Sequence, residues 1–526
     1  LLLSVHLLHA SALPAASSYE FNAYRMQHYN LHQHKHGCRG AIVVAEARSA
    51  ADTSLTRRCV IMKLLDFSTE RFLEAKKQNA AAVLILLPQN LSSVQEETVQ
   101  GFMVAEAQIL QEETILPVYV VPEDEQLLCM YEEVNQAVAS KSASVLVRVI
   151  IVPVRQVLLL LHFKGVLPGA GEDPPTIVIT AHFDTFGLAP WLAYGADSNG
   201  SGVAILLELV RLFHRLNSNP RSQAPYHLLF SLTGGGKYNF LGTKHWLEEN
   251  MDHAESSLLH DNVEFVICLD SLGTGDEIFL HVSRPPKPGT PQYSFIQQLE
   301  QIISARFPWV RFGTVHKKIN LQETNVAWEH ERYGMKRIPG FTLSHIENPK
   351  SELRGSILDT MNHFRLMDCF SCIFSAQVDM RKLKRNTVIV AESLARFMYN
   401  LSDKVRKRVC RHIKMFTPTL KRSQTTLSFR LSALMTMLTS VPRAVQLLDR
   451  EPEHTLLINS LEQEFKHYLK QVHKHTFHQD RRDPEITFFD QMKQPMMMYR
   501  VKPAAFDLFL GGCIAGYLGI VYYGIQ

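Results

Sequence analysis

Cysteine is scarce in this chain: eight among 526 residues, at positions 38, 59, 129, 268, 369, 372, 410 and 513. That density excludes a disulfide-stapled scaffold. Cys369-Phe-Ser-Cys372 has the spacing of a redox or zinc pair, but no second such pair completes a structural zinc site. A charge surplus is also missing. Fifty-five Lys and Arg oppose 51 Asp and Glu, for a net +4 with His neutral, and no basic block dominates. A general attraction to nucleic acid is thereby excluded. Charged residues make up 20% of the chain and apolar ones 46%, too few and too many for intrinsic disorder or low complexity. No internal repeat occurs. At ~150 residues per domain, the length implies three or four units.

The two ends are apolar. Residues 1–8 read Leu-Leu-Leu-Ser-Val-His-Leu-Leu, and residues 12–16 are a small-residue stretch suited to signal-peptidase cleavage. Residues 1–16 are therefore read as a signal peptide, partial because no charged leader or initiating Met precedes it. Residues 508–525 carry no charge; as a helix they span roughly 27 Å, close to the hydrocarbon core of a bilayer. Tyr522 and Tyr523 stand where an interfacial aromatic belt belongs. Gly512 and Gly516 have the spacing that lets a second helix approach closely. Together these predict a type I protein, with residues from about 17 to 503 in a secretory lumen and one transmembrane helix at 504–525. Three glycosylation sequons then become relevant, at Asn90, Asn199 and Asn400. Asn400 follows a helix in a polar stretch and is the strongest of the three.

Between the ends the pattern changes twice. Residues 17–166 form a first luminal region of short β-rich runs and helices, with strands at 81–87 and 117–122 and a helix at 123–137. His28, His32, His34 and His36 are spaced to bind a metal weakly, but in a polar segment with no Cys or carboxylate partner they are read as solvated surface. Residues 145–163 are apolar, but Arg148, Pro153 and Arg155 rule out a membrane span. A Pro- and Gly-rich linker at 167–175 marks a boundary. Beyond it, strands at 176–181, 227–232, 263–269 and 340–343 alternate with helices at 201–216, 295–307 and 387–398. This is the pattern of an α/β fold, a mixed sheet between helices. Residues 403–503 read as helical and basic, with 456–475 the longest pattern. Met496-Met-Met498 and Phe488-Phe489 are suited to a partner, to the lipid interface or to packing back on the main domain.

In α/β sheets, ligands collect at the carboxyl ends of the strands. Here those ends carry His182-Phe-Asp184, the loop Gly195-Ala-Asp-Ser-Asn-Gly-Ser-Gly202, Asp270, and Ser344-His345. Two His and several Asp converging on one edge would make a metal site. This order of motifs resembles the M28 zinc aminopeptidase superfamily over about 175–400. Residues 181–191, 196–202, 234–239 and 500–507 resemble more closely the nicalin family of nicastrin-related endoplasmic-reticulum membrane proteins. The resemblance implies an M28 peptidase-like domain over 175–402, a helical juxtamembrane region over 403–503, and positions for a two-zinc site. His182 and Asp184 match a zinc ligand and its orienting partner. Asp270 and His345 match further ligands. Ser198 stands where the peptidases keep the bridging Asp, and Asp197 is one place too early. Gly236 and Lys237 stand where a Glu-Glu pair supplies the general base and a ligand. No Glu lies within 230–244 to replace either.

Two Zn²⁺ about 3.5–4 Å apart repel by very roughly 20 kcal/mol even at an effective dielectric near 20, and bridging carboxylates offset that. This chain has lost the bridge, a ligand and the base, and has gained Lys237. His182 and Asp270 would remain for one ion and His345 for the other, against the usual three ligands of a catalytic zinc. The expectation is a pseudo-aminopeptidase with no catalytic residue, no metal and no cofactor. No Gly-x-Ser-x-Gly elbow surrounds Ser198, so a serine hydrolase is not expected.

The resemblance further implies a scaffold subunit in an endoplasmic-reticulum membrane complex with Nodal modulator, a large luminal protein, and a small multi-span protein. That complex acts beside the Sec translocon in multi-pass membrane protein biogenesis, and the family is linked to antagonism of Nodal signalling. Two alternatives stand beside it: a nicastrin-like receptor for a substrate or peptide, and an active zinc aminopeptidase. Residues 145–165 and 362–377 look rewritten and inserted relative to that family, and local disorder is expected in both.

Overall fold

A computed structural model describes residues 18–525, apart from 43, 90–93, 141–144, 150–153, 157–158, 253–261, 362–377, 401–415, 449–451, 479–483, 491 and 501–503. The signal-peptide stretch, Asn90 and the Cys369–Cys372 pair lie outside the described residues. The chain divides into two compact units, Leu1–His28 with Lys35–Val154 and Phe489–Gln526, and Tyr29–His34 with Arg155–Phe488.

In the first unit seven strands close into a barrel, in the order Ser18–Arg25, Lys493–Arg500, Val145–Val149, Val44–Ser49, Arg58–Lys63, Ala82–Leu87, Val118–Pro122. Ala82–Leu87 is apolar throughout and lies parallel between two neighbours. Being covered on both faces removes any need for alternation. The helices Thr69–Lys77, Glu96–Ile109 and Glu125–Ser140 belong to the same unit. The first of these starts at Ser68, whose hydroxyl accepts from the Arg71 N–H, and ends in Lys76 and Lys77, cations that suit a helix C-terminus.

The methionine cluster is resolved here. Met496 pairs with Phe21 and Met498 with Tyr19, and both sulfur side chains enter the barrel core beside Val145 and Val147. Alternation along a strand explains the pattern: Met496 and Met498 point in while Met497 does not. Lipid or partner contact is not their role. Of the two stretches where disorder was expected, 362–377 and, within 145–165, residues 150–153 and 157–158 lie outside the described residues. Val145–Val149 is a barrel strand, and Leu159–Leu167 pairs on both sides in the second unit's sheet. The helix Ala504–Ile525 contains the 18-residue window Leu508–Ile525, mean hydropathy 1.7 and wholly exposed, long and apolar enough to cross a membrane. Gly512 and Gly516 lie on it with nothing within 4 Å of their added Cβ positions.

The second unit holds an eight-stranded sheet in the order Arg311–His316, Glu277–Val282, Gly340–Ser344, Val263–Leu269, Thr176–His182, His227–Thr233, Leu159–Leu167, Lys470–His478. The four strands from Gly340–Ser344 to His227–Thr233 run parallel, so their carboxyl ends share one edge. Period two sorts the central strand. Ile177, Ile179 and Ala181 face the helices Gly202–Asn217 and Met380–Met398, while Val178 faces Trp246, Leu247 and Tyr333 on the helices Leu241–Asp252 and Glu329–Met335. Gly202–Asn217 buries Val203, Leu206, Leu209, Val210 and Phe213. Each is worth ~1.5–3 kcal/mol, and truncating Leu209 to Ala would cost about 2–5 kcal/mol.

Residues 403–503 are not the helical region that was expected. Helices occupy Phe416–Leu438 and Pro452–Tyr468, but the chain then turns into the edge strand Lys470–His478, with His475 opposite His162. His, Lys and aromatic residues alternate along it, which is a strand pattern. Ile486, Thr487 and Phe488 pair antiparallel with Leu31, Asn30 and Tyr29.

Candidate functional site

The polar residues at the shared carboxyl edge come together. The turn that begins at Gly195 opens the helix Gly202–Asn217, and φ of +57° at Gly195 would strain any other residue type. Asn199 secures this loop. Its amide donates to the His182 and Leu269 carbonyls (3.1 and 2.8 Å), and its oxygen accepts from the Ser271 and Gly202 N–H groups (3.0 and 3.2 Å). Asn199 is fully buried, so the glycosylation read from its sequon is corrected: the folded chain presents no amide there for a glycan. Asn400, in contrast, is exposed, with φ of +46°.

Around this loop, each carboxylate already has partners. Asp184 accepts from the backbone N–H groups of Gly236 and Lys237 (2.8 and 3.0 Å). Burial outweighs those bonds and pushes its carboxyl up to about 6. Asp359 accepts from the N–H groups of Asp197 and Ser198, both at 2.9 Å, and burial with the nearby Asp197 charge likewise raises it to about 6. Asp197 bonds the Gly273 N–H (2.7 Å), the hydroxyls of Ser201 (2.8 Å) and Thr274 (2.9 Å), and His345 Nε2 (2.7 Å). Burial alone would raise the Asp197 carboxyl and lower the His345 imidazole. Their mutual attraction overcomes both, holding Asp197 below and His345 above its ordinary value. Asp270 accepts from Arg354 Nη2 and Ser271 Oγ, each at 2.8 Å. Burial is outweighed by the Arg354 charge first and the Lys237 charge after it, leaving Asp270 well below the carboxylate range.

Two cations sit among these groups. The Lys237 ammonium donates to Ser198 Oγ and to the Arg354 carbonyl oxygen (2.7 Å). Burial pulls it down to about 8 against the attraction of Asp270. The Arg354 guanidinium lies 4.1 Å from the Trp328 ring centroid and also reaches the Ala327 and Pro349 carbonyls. A third, Arg443, is fully buried and donates to the carbonyls of Phe183, Gly195 and Leu438. His182 is buried and held neutral, pushed down to about 3 by that burial, and among the described residues its Nε2 has no partner.

These contacts decide how well the set suits a pair of zinc ions. His182 Nε2 is one open donor. The four carboxylates are each taken, and among the described residues no group of three or more His, Cys, Asp or Glu side chains is placed to hold a metal ion. A Zn²⁺ about 4 Å from the Lys237 ammonium would be repelled by roughly 8 kcal/mol at an effective dielectric near 20. Gly236, at the expected base position, has no room for a side chain: a Cβ would lie 2.3 Å from the His182 Cβ. Asp197 does not bridge, because His345 and the 273–274 loop hold it. The residues present do not fit the group. Nor does Ser198 form a hydrolytic triad; its hydroxyl meets Lys237 and the Arg354 carbonyl, not a histidine.

The sequence motifs located His182, Asp184, Ser198, Gly236, Lys237, Asp270 and His345, and all seven fall at this edge. Arg354, Asp359 and Arg443 were missed. They arrive from segments with no motif, and only a buried Arg or Asp amid apolar neighbours could have marked them.

Residues 164–305 match the family model Peptidase family M28. The chain is 46% identical over 532 residues to BOS complex subunit ncln of Danio rerio, covering 98% of this chain and 91% of that one. It is 46% identical over 541 residues to BOS complex subunit NCLN of Homo sapiens, covering 99% and 92%. Nicalin of Caenorhabditis elegans is 31% identical over 367 residues, 65% of this chain and 64% of that one. Among solved structures, the gamma-secretase component Nicastrin superposes with a TM-score of 0.63 at 10% identity, covering 91% of this chain and 99% of that one, a likeness of fold.

Proposed function

The chain belongs to the nicalin family, and from that premise we propose that it is a non-catalytic, peptidase-like scaffold subunit of an endoplasmic-reticulum membrane complex. One observation carries the loss of catalysis: the carboxylates at the carboxyl edge of the sheet are paired with Arg354, His345 and backbone N–H groups, the Lys237 ammonium sits beside them on Ser198 Oγ and the Arg354 carbonyl oxygen, and Gly236 leaves no base. With no carboxylate free to take a proton from water, hydrolysis has no route. The bulk of the chain is luminal, behind a signal peptide. It is anchored by the single helix Ala504–Ile525, packs there through Gly512 and Gly516, and carries a glycan at Asn400. The name of the relatives, BOS complex subunit, supports assembly. The partners are Nodal modulator and a small multi-span protein, working beside the Sec translocon on multi-pass clients, with a link to Nodal signalling.

The receptor alternative asks for a free carboxylate to meet a peptide N-terminus, and Asp184, Asp197, Asp270 and Asp359 offer none. The test is gentle-detergent purification of the full tagged chain from membranes. The expected result is co-purification of the two membrane partners in near-equal amounts and no release of N-terminal residues from peptides. A chain that runs alone, or one that trims peptides, overturns the reading.

A further inference from the structure

The M28 resemblance implies metal ions held by carboxylates at these strand ends. This chain keeps carboxylates at the same strand ends and brings other cations to them. We propose that Lys237 and Arg354 are tethered cations standing where metal would, so that the chain itself permanently occupies the site and the site acts as an ionic lock on the surrounding loops. The inference deepens the non-catalytic reading and is independent of which partners the chain assembles with.

Three features carry it. Charge is the first. Asp184, Asp197, Asp270 and Asp359 face Lys237, Arg354, Arg443 and the proton shared by Asp197 and His345, so the set is close to neutral without any added ion. Connectivity is the second. The Lys237 ammonium joins the turn after His227–Thr233 to Ser198 and to the Arg354 carbonyl. Arg354 joins its own loop to Asp270. Asp184 and Asp359 fasten the backbones of 236–237 and 197–198. Four loops from different parts of the sequence thus meet on two cationic side chains. Chemistry is the third. Lys237 presents a primary ammonium, a tethered cation that donates to Ser198 Oγ and to the Arg354 carbonyl oxygen, so the position is filled by the chain's own positive charge.

The experiment uses the full chain in detergent, stripped with a chelator and then given zinc chloride. Bound zinc is read by competition with a fluorescent chelator, and thermal unfolding is followed in parallel. The wild-type chain is expected to retain no zinc and to show the same melting midpoint with and without it. Lys237→Met, which keeps the length and removes the charge, is expected to lower the midpoint. Ser198→Asp with Lys237→Glu is expected to raise zinc affinity by at least about 100-fold, because the repulsion removed is worth more than two decades. The wild-type arm needs no variant to fold. Zinc retained by the wild-type chain overturns the lock, and so does a Lys237→Met chain that melts with the wild type. Zinc retained together with peptide trimming overturns the non-catalytic reading as well. A zinc-free chain that captures no partner supports the lock while overturning the assembly.

Discussion

Two buried polar clusters in the peptidase-like unit treat a carboxyl group in opposite ways. At the carboxyl edge, Asp270 is buried but held as an ion by the Arg354 guanidinium. Under the sheet, Glu329 is equally buried, but among the described residues no cation pairs with it. Its Oε1 accepts from the hydroxyls of Thr180 (3.1 Å), Thr233 (3.2 Å) and Thr243 (2.7 Å), and burial outweighs those bonds to push its carboxyl up to about 7. A carboxylate taken out of water needs either an opposite charge or a proton. The first solution fixes geometry among loops at the price of sensitivity to any missing partner. The second tolerates change and responds to pH.

The largest effect should come from breaking the ionic solution. Arg354→Ala leaves the buried Asp270 without its ion-pair partner, which costs about 3–5 kcal/mol, read as a drop of roughly 10 °C in the melting midpoint. Adding Asp270→Asn to the same chain removes the orphaned charge and should recover most of the loss. If the double variant melts no higher than Arg354→Ala, the Asp270 charge is not what Arg354 compensates.

That contrast also marks how far the sequence could be read. The strands themselves were legible in continuous apolar runs such as 176–181 and 263–269, and the strand-end residues followed from them, but the order of the strands in the sheet was not. Asp184, Asp270 and His345 were visible because polar residues at strand ends stand out against apolar runs. Arg354 and Asp359 were not, because their roles depend on a loop returning to the edge, which no local period encodes. The strand Lys470–His478 was taken for helix because its neighbour Pro452–Tyr468 has a strong 3.6-residue pattern that blurs the boundary. Met496 and Met498 looked like surface candidates because a three-methionine run hides the alternation that puts two of them in the barrel. Gly236 read as a missing Glu, and only its approach to His182 explains why a side chain is excluded there.

A smaller effect should sharpen the second solution. An acid whose folded pKa stands at about 7 against an ordinary 4.5 keeps in the folded state a proton that the unfolded chain has released between those values. Its contribution to stability is therefore complete below pH 4.5, falls as pH rises, and is lost above about 7, a total of about 3 kcal/mol. Glu329→Gln keeps an oxygen for the three threonines and cannot ionise. The stability of the variant relative to wild type should rise by that amount from pH 4.5 to 7.5. Parallel curves for the two chains would show that Glu329 is ionised in the fold and that the hydroxyls alone hold the charge.

The smallest effect belongs to a polar side chain that is not buried, and it tests the comparison from outside. Asn199 and Asn400 share the same sequon, yet Asn199 makes four hydrogen bonds inside the site while Asn400 is exposed just after the helix Met380–Met398. A glycosylating enzyme needs an accessible amide, which only Asn400 offers of these two. At φ of +46° Asn400 sits in the left-handed region that follows many helix ends, where glycine carries no Cβ penalty. Asn400→Gly should therefore remove the glycan and change stability by no more than about 0.5 kcal/mol, toward the stabilising side. Peptide mapping of the chain from membranes should find the Asn400 peptide modified and the Asn199 peptide bare. A glycan on Asn199 would mean that its loop is open when the chain enters the lumen and closes too slowly to hide it. The lock at the carboxyl edge would then form after glycosylation rather than with the sheet.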